Sequence, residues 1–181
     1  MAKCAIETSR PIPGMHGTRR TKLSDYAVQL REKQRLRRMY GLMESQFHLT
    51  FERASRKRGI TGEILLQMLE MRLDNLVYRL GFAPSRKAAR LFVTHGHVQV
   101  NGRRADIPSM TLKPGDAIQV RDRKTARAIA EPSVETAESR GISPWLKLSK
   151  KEFKGEVLHV PSREEISPVV NEQLIVELYS K

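Results

Sequence analysis

The run from Thr61 to Leu80, "TGEILLQMLEMRLDNLVYRL", constrains this chain more than any other stretch. Leu65, Leu66, Leu69, Leu73, Leu76, Val77 and Leu80 recur at spacings of three and four, the period of one helix face. The spacing predicts a helix starting near Thr61 and closed by Gly81 and Pro84. The stripe is long and the character of the chain changes near Met71, so its two halves must bury against different neighbours.

Upstream, Pro11, Pro13, Gly14 and Gly17, followed by Arg19, Arg20 and Lys22, read as an irregular basic arm. Ser24 is placed to cap a helix that starts at Asp25 and ends at Gly41. Leu23, Ala27 and Leu30 mark its apolar stripe. Arg31, Arg35 and Arg38 share a face, and Lys33 and Arg37 are expected to widen it. A second helix, about Ser45 to Lys57, ends in "RASRKRG" with Arg56, Lys57 and Arg58. Complementing a helix dipole explains one or two of those charges, not four in six residues.

Downstream, Ser85 caps a short helix over Arg86 to His95, stopped by Gly96. Arg86 and Arg90 are one turn apart on it, with Lys87 beside them. His97 to Val100 alternates as a strand, and Asn101-Gly102 is a strong hairpin signal because a type I′ turn needs positive φ twice. Arg103 and Arg104 open the return strand. Lys113 precedes a Pro114-Gly115-Asp116 turn, and Ala117 to Val120 form a last strand. From Lys124 the pattern weakens to a helix fragment broken by Pro132, then a linker. Trp145, Leu146 and Leu148 resume a core pattern, and Gly155 to Val160 can form a strand. "SREE" from Ser162 has a capping-box shape. "NEQLIVELYS" is apolar enough to dock as a helix or a strand.

Charge decides the class of partner. Lys and Arg number 33 against 20 Asp and Glu, a formal net charge of +13 over 181 residues. The excess sits in residues 1–58 and 71–124, whereas the remainder is nearly neutral. Such asymmetry points to nucleic acid or an anionic membrane. No apolar run approaches the length of a membrane span, no apolar signal-peptide core follows the start, and "MAKCAIETSRPIPG" is broken by prolines. Nucleic acid is therefore the expected partner. Cys4 is the single cysteine, so neither an internal disulfide nor a cysteine-based zinc site is expected.

The motifs "RLDN", "SRKAAR", "HGHVQVNG", "IPS" and "KPGDAIQV" together resemble the S-four RNA-binding domain. "HGTRRTKLSDYAVQLREKQRLRRMYG", "GEILLQMLEMRLDNLVYRLGFA" and "NEQLIVELYSK" extend the resemblance over nearly the whole chain, to the S-four family of small-subunit ribosomal proteins. The resemblance implies an α+β fold, with a mostly helical domain built from both chain ends and an inserted S-four domain of two short helices and a small β-sheet. Residues 1–70 would be the helical part, 71–134 the inserted domain, and 135–181 a segment packing back on the helical part. It also implies a structural, ribosome-bound role in the cytoplasm or an organelle. The family binds a multi-helix junction in the five-prime domain of the small-subunit ribosomal RNA, nucleates assembly and contributes to decoding accuracy beside protein S-five. Some bacterial members repress their own operon. Many members carry a longer N-terminal stretch, in some with zinc-binding cysteines; Cys4 stands in their "KCAIE" context without those partners, so no metal or other cofactor is expected.

The expected RNA contacts are Arg19, Arg20, Lys22, Arg31, Lys33, Arg35, Arg37, Arg38, Arg56, Lys57, Arg58, Arg86, Lys87, Arg90, His95, His97, Asn101, Arg103, Arg104 and Lys113. His95 and His97 could share a face, for RNA contact or for local hydrogen bonding. Asp74, acidic in a basic region, suits a structural ion pair, and Tyr26 and Tyr40 could stack on bases or join the core. The chain shows no Gly-rich phosphate loop, no H-E-x-x-H and no G-x-S-x-G, so no catalytic residue or small-molecule substrate is expected. S-four domains also occur in pseudouridine synthases, but the flanks here lack a catalytic motif. Short modules that rescue stalled large subunits lack the "LREKQRLRRMYG" helix.

Overall fold

The computed structural model of the chain describes residues 14–15, 22–166 and 170–180, with 138–140 described by backbone alone. The Ser24 hydroxyl accepts a hydrogen bond from the Ala27 N–H at 3.3 Å and starts α1 (Asp25–Met39). Gly41, at φ 64°, ends it by turning its N–H to the Arg38 carbonyl. The buried side of α1 is carried by Gln29 and Leu36, whereas Leu23, expected in the stripe, is exposed. α2 (Glu44–Ser55) buries Phe47, Phe51 and Ala54.

The leucine-rich run forms two helices where one was expected. α3 (Thr61–Glu70) and α4 (Leu73–Arg79) are separated at Met71 and Arg72. The break lets the backbone pair with the loop at 108–112. Leu73 and Asp74 donate to the carbonyls of Met110 and Pro108 at 2.8 and 3.1 Å, and Leu112 donates to Met71 at 3.0 Å. The opening N–H groups of α4, which have no partner inside the helix, are thereby bonded. The same break divides the stripe between two cores. Leu65, Leu66 and Leu69 pack with Leu36, Phe47 and Phe51, whereas Leu73, Leu76, Val77 and Leu80 pack with Phe92, Ile118 and Trp145.

α5 (Arg86–Thr94) starts where Ser85 accepts from the Ala88 N–H at 3.2 Å. β1 (Val98–Val100) and β2 (Arg103–Ala105) form the hairpin, with Asn101 at φ 49° and Gly102 at φ 77° as the turn requires. β3 (Ala117–Val120) pairs with the other side of β1. It is not the last strand. After α6 (Lys124–Arg140), β4 (Leu146–Ser149) and β5 (Lys154–Val157) add to the same antiparallel sheet, in the order β2-β1-β3-β5-β4.

Two further expectations change. α6 continues through Pro132. Ala126, Ala130, Val134 and Ala137 bury one side of it, and Pro132 lies on the exposed side. A carbonyl left unbonded there can turn to water, so packing outweighs the proline. The segment from 135 does not return at once to the N-terminal helices: Trp145, Leu146 and Val157 belong to the core beneath the sheet. The return comes later, through Ile166, Val170 and α7 (Glu172–Tyr179), whose Ile175 is fully buried among the N-terminal helices. "NEQLIVELYS" is thus a helix capped by Asn171. "SREE" makes half of a capping box within a turn, with the Ser162 N–H donating to Glu165 at 2.8 Å. α3 and α7 approach closely at Gly62, where a Cβ would lie 2.7 Å from the Glu172 side chain.

Candidate nucleic-acid interface

Arginines from both cores meet at one cleft of about 400 Å³. The end of α1 supplies Arg38, Tyr40 and Gly41; α4 supplies Asp74, Asn75 and Tyr78; α5 and its cap supply Ser85, Arg86, Lys87 and Arg90. Behind this wall lies Glu70, 1% exposed. Its carboxylate accepts from Arg79 Nη2 at 2.7 Å and Nε at 3.1 Å, from the Tyr40 hydroxyl at 2.6 Å and from Asn75 Nδ2 at 2.7 Å. Arg86 donates to Asn75 Oδ1 at 2.8 Å, and its guanidinium lies 4.8 and 4.9 Å from the rings of Tyr40 and Tyr78. Burial pushes the Glu70 carboxyl up, but the hydrogen bonds and charge of Arg79, then Tyr40 and Asn75, outweigh it and hold its pKa below the ordinary value. Burial first, then the Glu70 charge, drives the Tyr40 hydroxyl well above its ordinary value.

Asp74 makes a second buried anchor. It accepts a two-pronged pair from Arg72, at 3.1 and 2.8 Å, and a longer bond from Arg90 at 3.3 Å. The structural role expected of Asp74 is therefore present. Arg90 remains half exposed, whereas Arg86 is mostly enclosed, so the two do not present their charge equally.

The cations of α1 divide likewise. Arg31, Arg35 and Arg38 are exposed on one face, as expected. Lys33 and Arg37 do not widen that face. Both pair with Glu44, and the Lys33 ammonium lies 5.7 Å from the Tyr179 ring, against α2 and α7. The helical period explains this, because two residues along a helix is more than half a turn around it. Tyr26 is exposed and Tyr40 is buried.

Elsewhere, Lys22, Arg56, Lys57 and Arg58 are exposed, with Arg56 3.8 Å from Glu52. Arg19 and Arg20 lie outside the described residues, as does Cys4. Arg103, Arg104 and Lys113 are exposed around the sheet. Asn101 is engaged in structure: it donates to Asp116 Oδ1 at 2.8 Å and accepts from the Ala117 N–H at 2.9 Å, tying the two turns together. The rings of His95 and His97 lie 6.0 Å apart, with His97 against Phe92.

Sequence reasoning overlooked Glu70, Asn75, Tyr78 and Arg79 as parts of this site. A signal existed for Glu70. It falls at the position of the stripe between Leu66 and Leu73, where an apolar residue was due. A charged residue on a buried face needs a partner, and Arg79 is within reach on the next helix.

Exposed cations on two packed cores, with Arg90 anchored to the buried Asp74, give an α+β protein with a basic face of the kind that suits a polyanion. Residues 1–70 match the family model of the ribosomal protein S4/S9 N-terminal domain, and residues 71–118 match that of the S4 domain. The two matches meet where α3 gives way to α4. Relatives include small ribosomal subunit protein uS4A of Myxococcus xanthus, 53% identical over 99% of this chain and 86% of its own length. The uS4 proteins of Geotalea uraniireducens and Thermus thermophilus are 54% and 50% identical over the same shares. The chain belongs to the uS4 family of small ribosomal subunit proteins.

Proposed function

We propose that the chain is a structural, non-enzymatic component of the small ribosomal subunit that binds its RNA. The observation that carries this reading is the cleft where Arg38 of the first core meets Lys87 and Arg90 of the second. Cations fixed on one frame match only an RNA whose backbones pass both at the right spacing, which is readout of shape. The exposed α1 arginines and the hairpin pair Arg103 and Arg104 extend the surface. The family resemblance supports the finer reading: a multi-helix junction in the five-prime domain as target, a nucleating role in assembly, and a contribution to accuracy beside protein S-five.

The test is a competition between that RNA junction and a plain duplex of equal length. The junction should win at every salt concentration, and the RNA should be recovered chemically unmodified. Equal affinity would reduce the protein to a general polycation, and a nucleotide modified over time would make it an enzyme.

A further inference from the structure

The two lips of the cleft stand on different cores, yet both are registered to one carboxylate. Arg38 lies two residues before Tyr40 at the end of α1, and Tyr40 belongs to the core of the N-terminal helices. Its hydroxyl donates to Glu70 Oε1 at 2.6 Å. Lys87 and Arg90 follow Arg86 on α5, whose Ala89, Phe92 and Val93 belong to the other core. Arg86 donates to Asn75 Oδ1 at 2.8 Å. Asn75 Nδ2 in turn donates to Glu70 Oε2 at 2.7 Å and to the Glu70 carbonyl at 2.9 Å. The path from lip to lip is thus Tyr40, Glu70, Asn75, Arg86. It closes on itself, because the Arg86 guanidinium lies 4.8 Å from the Tyr40 ring.

The relay spans the place where one core could turn against the other. Glu70 ends α3 and Leu73 opens α4, so Met71 and Arg72 join the helices of the two cores. The bond from Leu112 to Met71 ties this connection to the second core. Glu70 ties it to the first, and Arg79 of α4 reaches back across the break to both carboxylate oxygens, at 2.7 and 3.1 Å. Each oxygen of Glu70 therefore accepts two hydrogen bonds, and the residue is 1% exposed. Moving either lip breaks a buried bond to a charged group, which is costly. The cations of the cleft are held apart at one spacing before any partner arrives.

We propose that Tyr40 and Glu70 are positioning residues for RNA recognition: buried behind the cleft, they fix the spacing of Arg38 from Lys87 and Arg90 and so set the preference for a junction over a duplex. The inference rests on the RNA-binding reading above and adds its specificity determinant. A junction must meet both lips at once, and fixed spacing makes the second contact effectively intramolecular. A duplex can settle on either lip and gains little from their spacing. Loosening the relay therefore costs junction affinity more than duplex affinity, while every cation stays in place.

The full chain is titrated with the junction RNA and with a duplex of equal length, across a range of salt and well below the unfolding temperature. Tyr40→Phe removes one oxygen atom and keeps the ring against Arg86. It should lower the junction-to-duplex preference roughly tenfold, the worth of one hydrogen bond to a charged group. The salt slope of junction binding should be kept, because no cation is lost. Glu70→Gln should act in the same direction; should that variant fail to fold, Tyr40→Phe decides alone. Arg163→Gln is the control for a purely structural effect. It breaks a two-pronged pair with Glu172, at 2.6 and 2.9 Å, outside the cleft, and should lower stability while the preference stays at the wild-type value. In the wild type, the junction losses from Arg38→Gln and Lys87→Gln should be non-additive, and in the Tyr40→Phe background they should add. The proposal is overturned if Tyr40→Phe keeps the wild-type preference, if its salt slope drops by about one, if Arg163→Gln lowers the preference as much, or if the two losses already add in the wild type. In each of these cases a wild type that prefers junction to duplex leaves the RNA-binding reading standing. A wild type without that preference sinks the reading itself, and this inference with it.

Discussion

On α1, Arg31, Arg35 and Arg38 face solvent, and the ion pair they form among the described residues is a 3.7 Å contact from Arg35 to Glu32. On α5, Arg86 is packed between two tyrosines and bonded to Asn75, and Arg90 reaches a buried aspartate. The same residue type, one turn apart on a helix in each case, does two different jobs. The α1 arginines present charge at little structural cost. Arg86, with Arg79, neutralises a carboxylate that would otherwise be stranded between the two cores. Counting cations treats these groups as equal; burial separates those that hold the frame from those that face solvent.

The hardest way to break that comparison is at Glu70. Glu70→Ala leaves Arg79, Asn75 and Tyr40 without their shared acceptor, and should cost about 3–5 kcal/mol in urea unfolding. A loss under about 1 kcal/mol would place Glu70 with the weak surface pairs. The same carboxylate makes an acid test. Its folded pKa lies below the ordinary value, so its contribution is present above the unfolded pKa and is lost as pH falls through the folded one. Glu70→Gln should flatten the acid limb of the stability curve.

The opposite result is expected on α1. Changing Arg31, Arg35 and Arg38 together to Gln should lower the salt slope of RNA binding by about three, with each change altering stability by no more than about 0.5 kcal/mol. A stability loss as large as that of Glu70→Ala would erase the distinction between presenting and bracing cations. The smallest effect should come from Lys33→Gln. Lys33 belongs to α1 in sequence but to the bracing class in space, since its partner is Glu44. RNA titrations should show an unchanged salt slope, with stability lowered by about 1 kcal/mol or less. A drop in slope would return Lys33 to the presented face.

Much of this fold was legible in local chemistry. Ser24, Ser85 and Gly41 mark helix ends by their own hydrogen-bonding and φ preferences, and Asn101-Gly102 sets its turn without help. Such signals act within a few residues. The break at Met71 was not legible, because its cause is the loop at 108–112, far along the chain. Nor was the continuity of α6 through Pro132, which depends on the surface its alanines cover. In the candidate site, the exposed cations were found by clustering and helical spacing. The inward turn of Lys33 and Arg37 needed the positions of Glu44 and Tyr179, and the role of Arg86 needed Glu70 and the two tyrosines.

The late return of the chain through α7 sets an order of events during synthesis. Every buried member of the sheet-bearing core has left the exit tunnel once Val157 has emerged, so that core can close while translation continues. The helical core begins earlier and finishes later, because it waits for Ile166, Val170 and Ile175. Gln29 meets Glu177 across 148 positions of intervening chain. Until then, Leu36, Phe47 and Leu65 lack part of their cover, and the nascent helices present an unfinished apolar face. Of the two cores, the one whose residues begin to emerge first is thus the last to be sealed, and the wait is set by the length of what lies between.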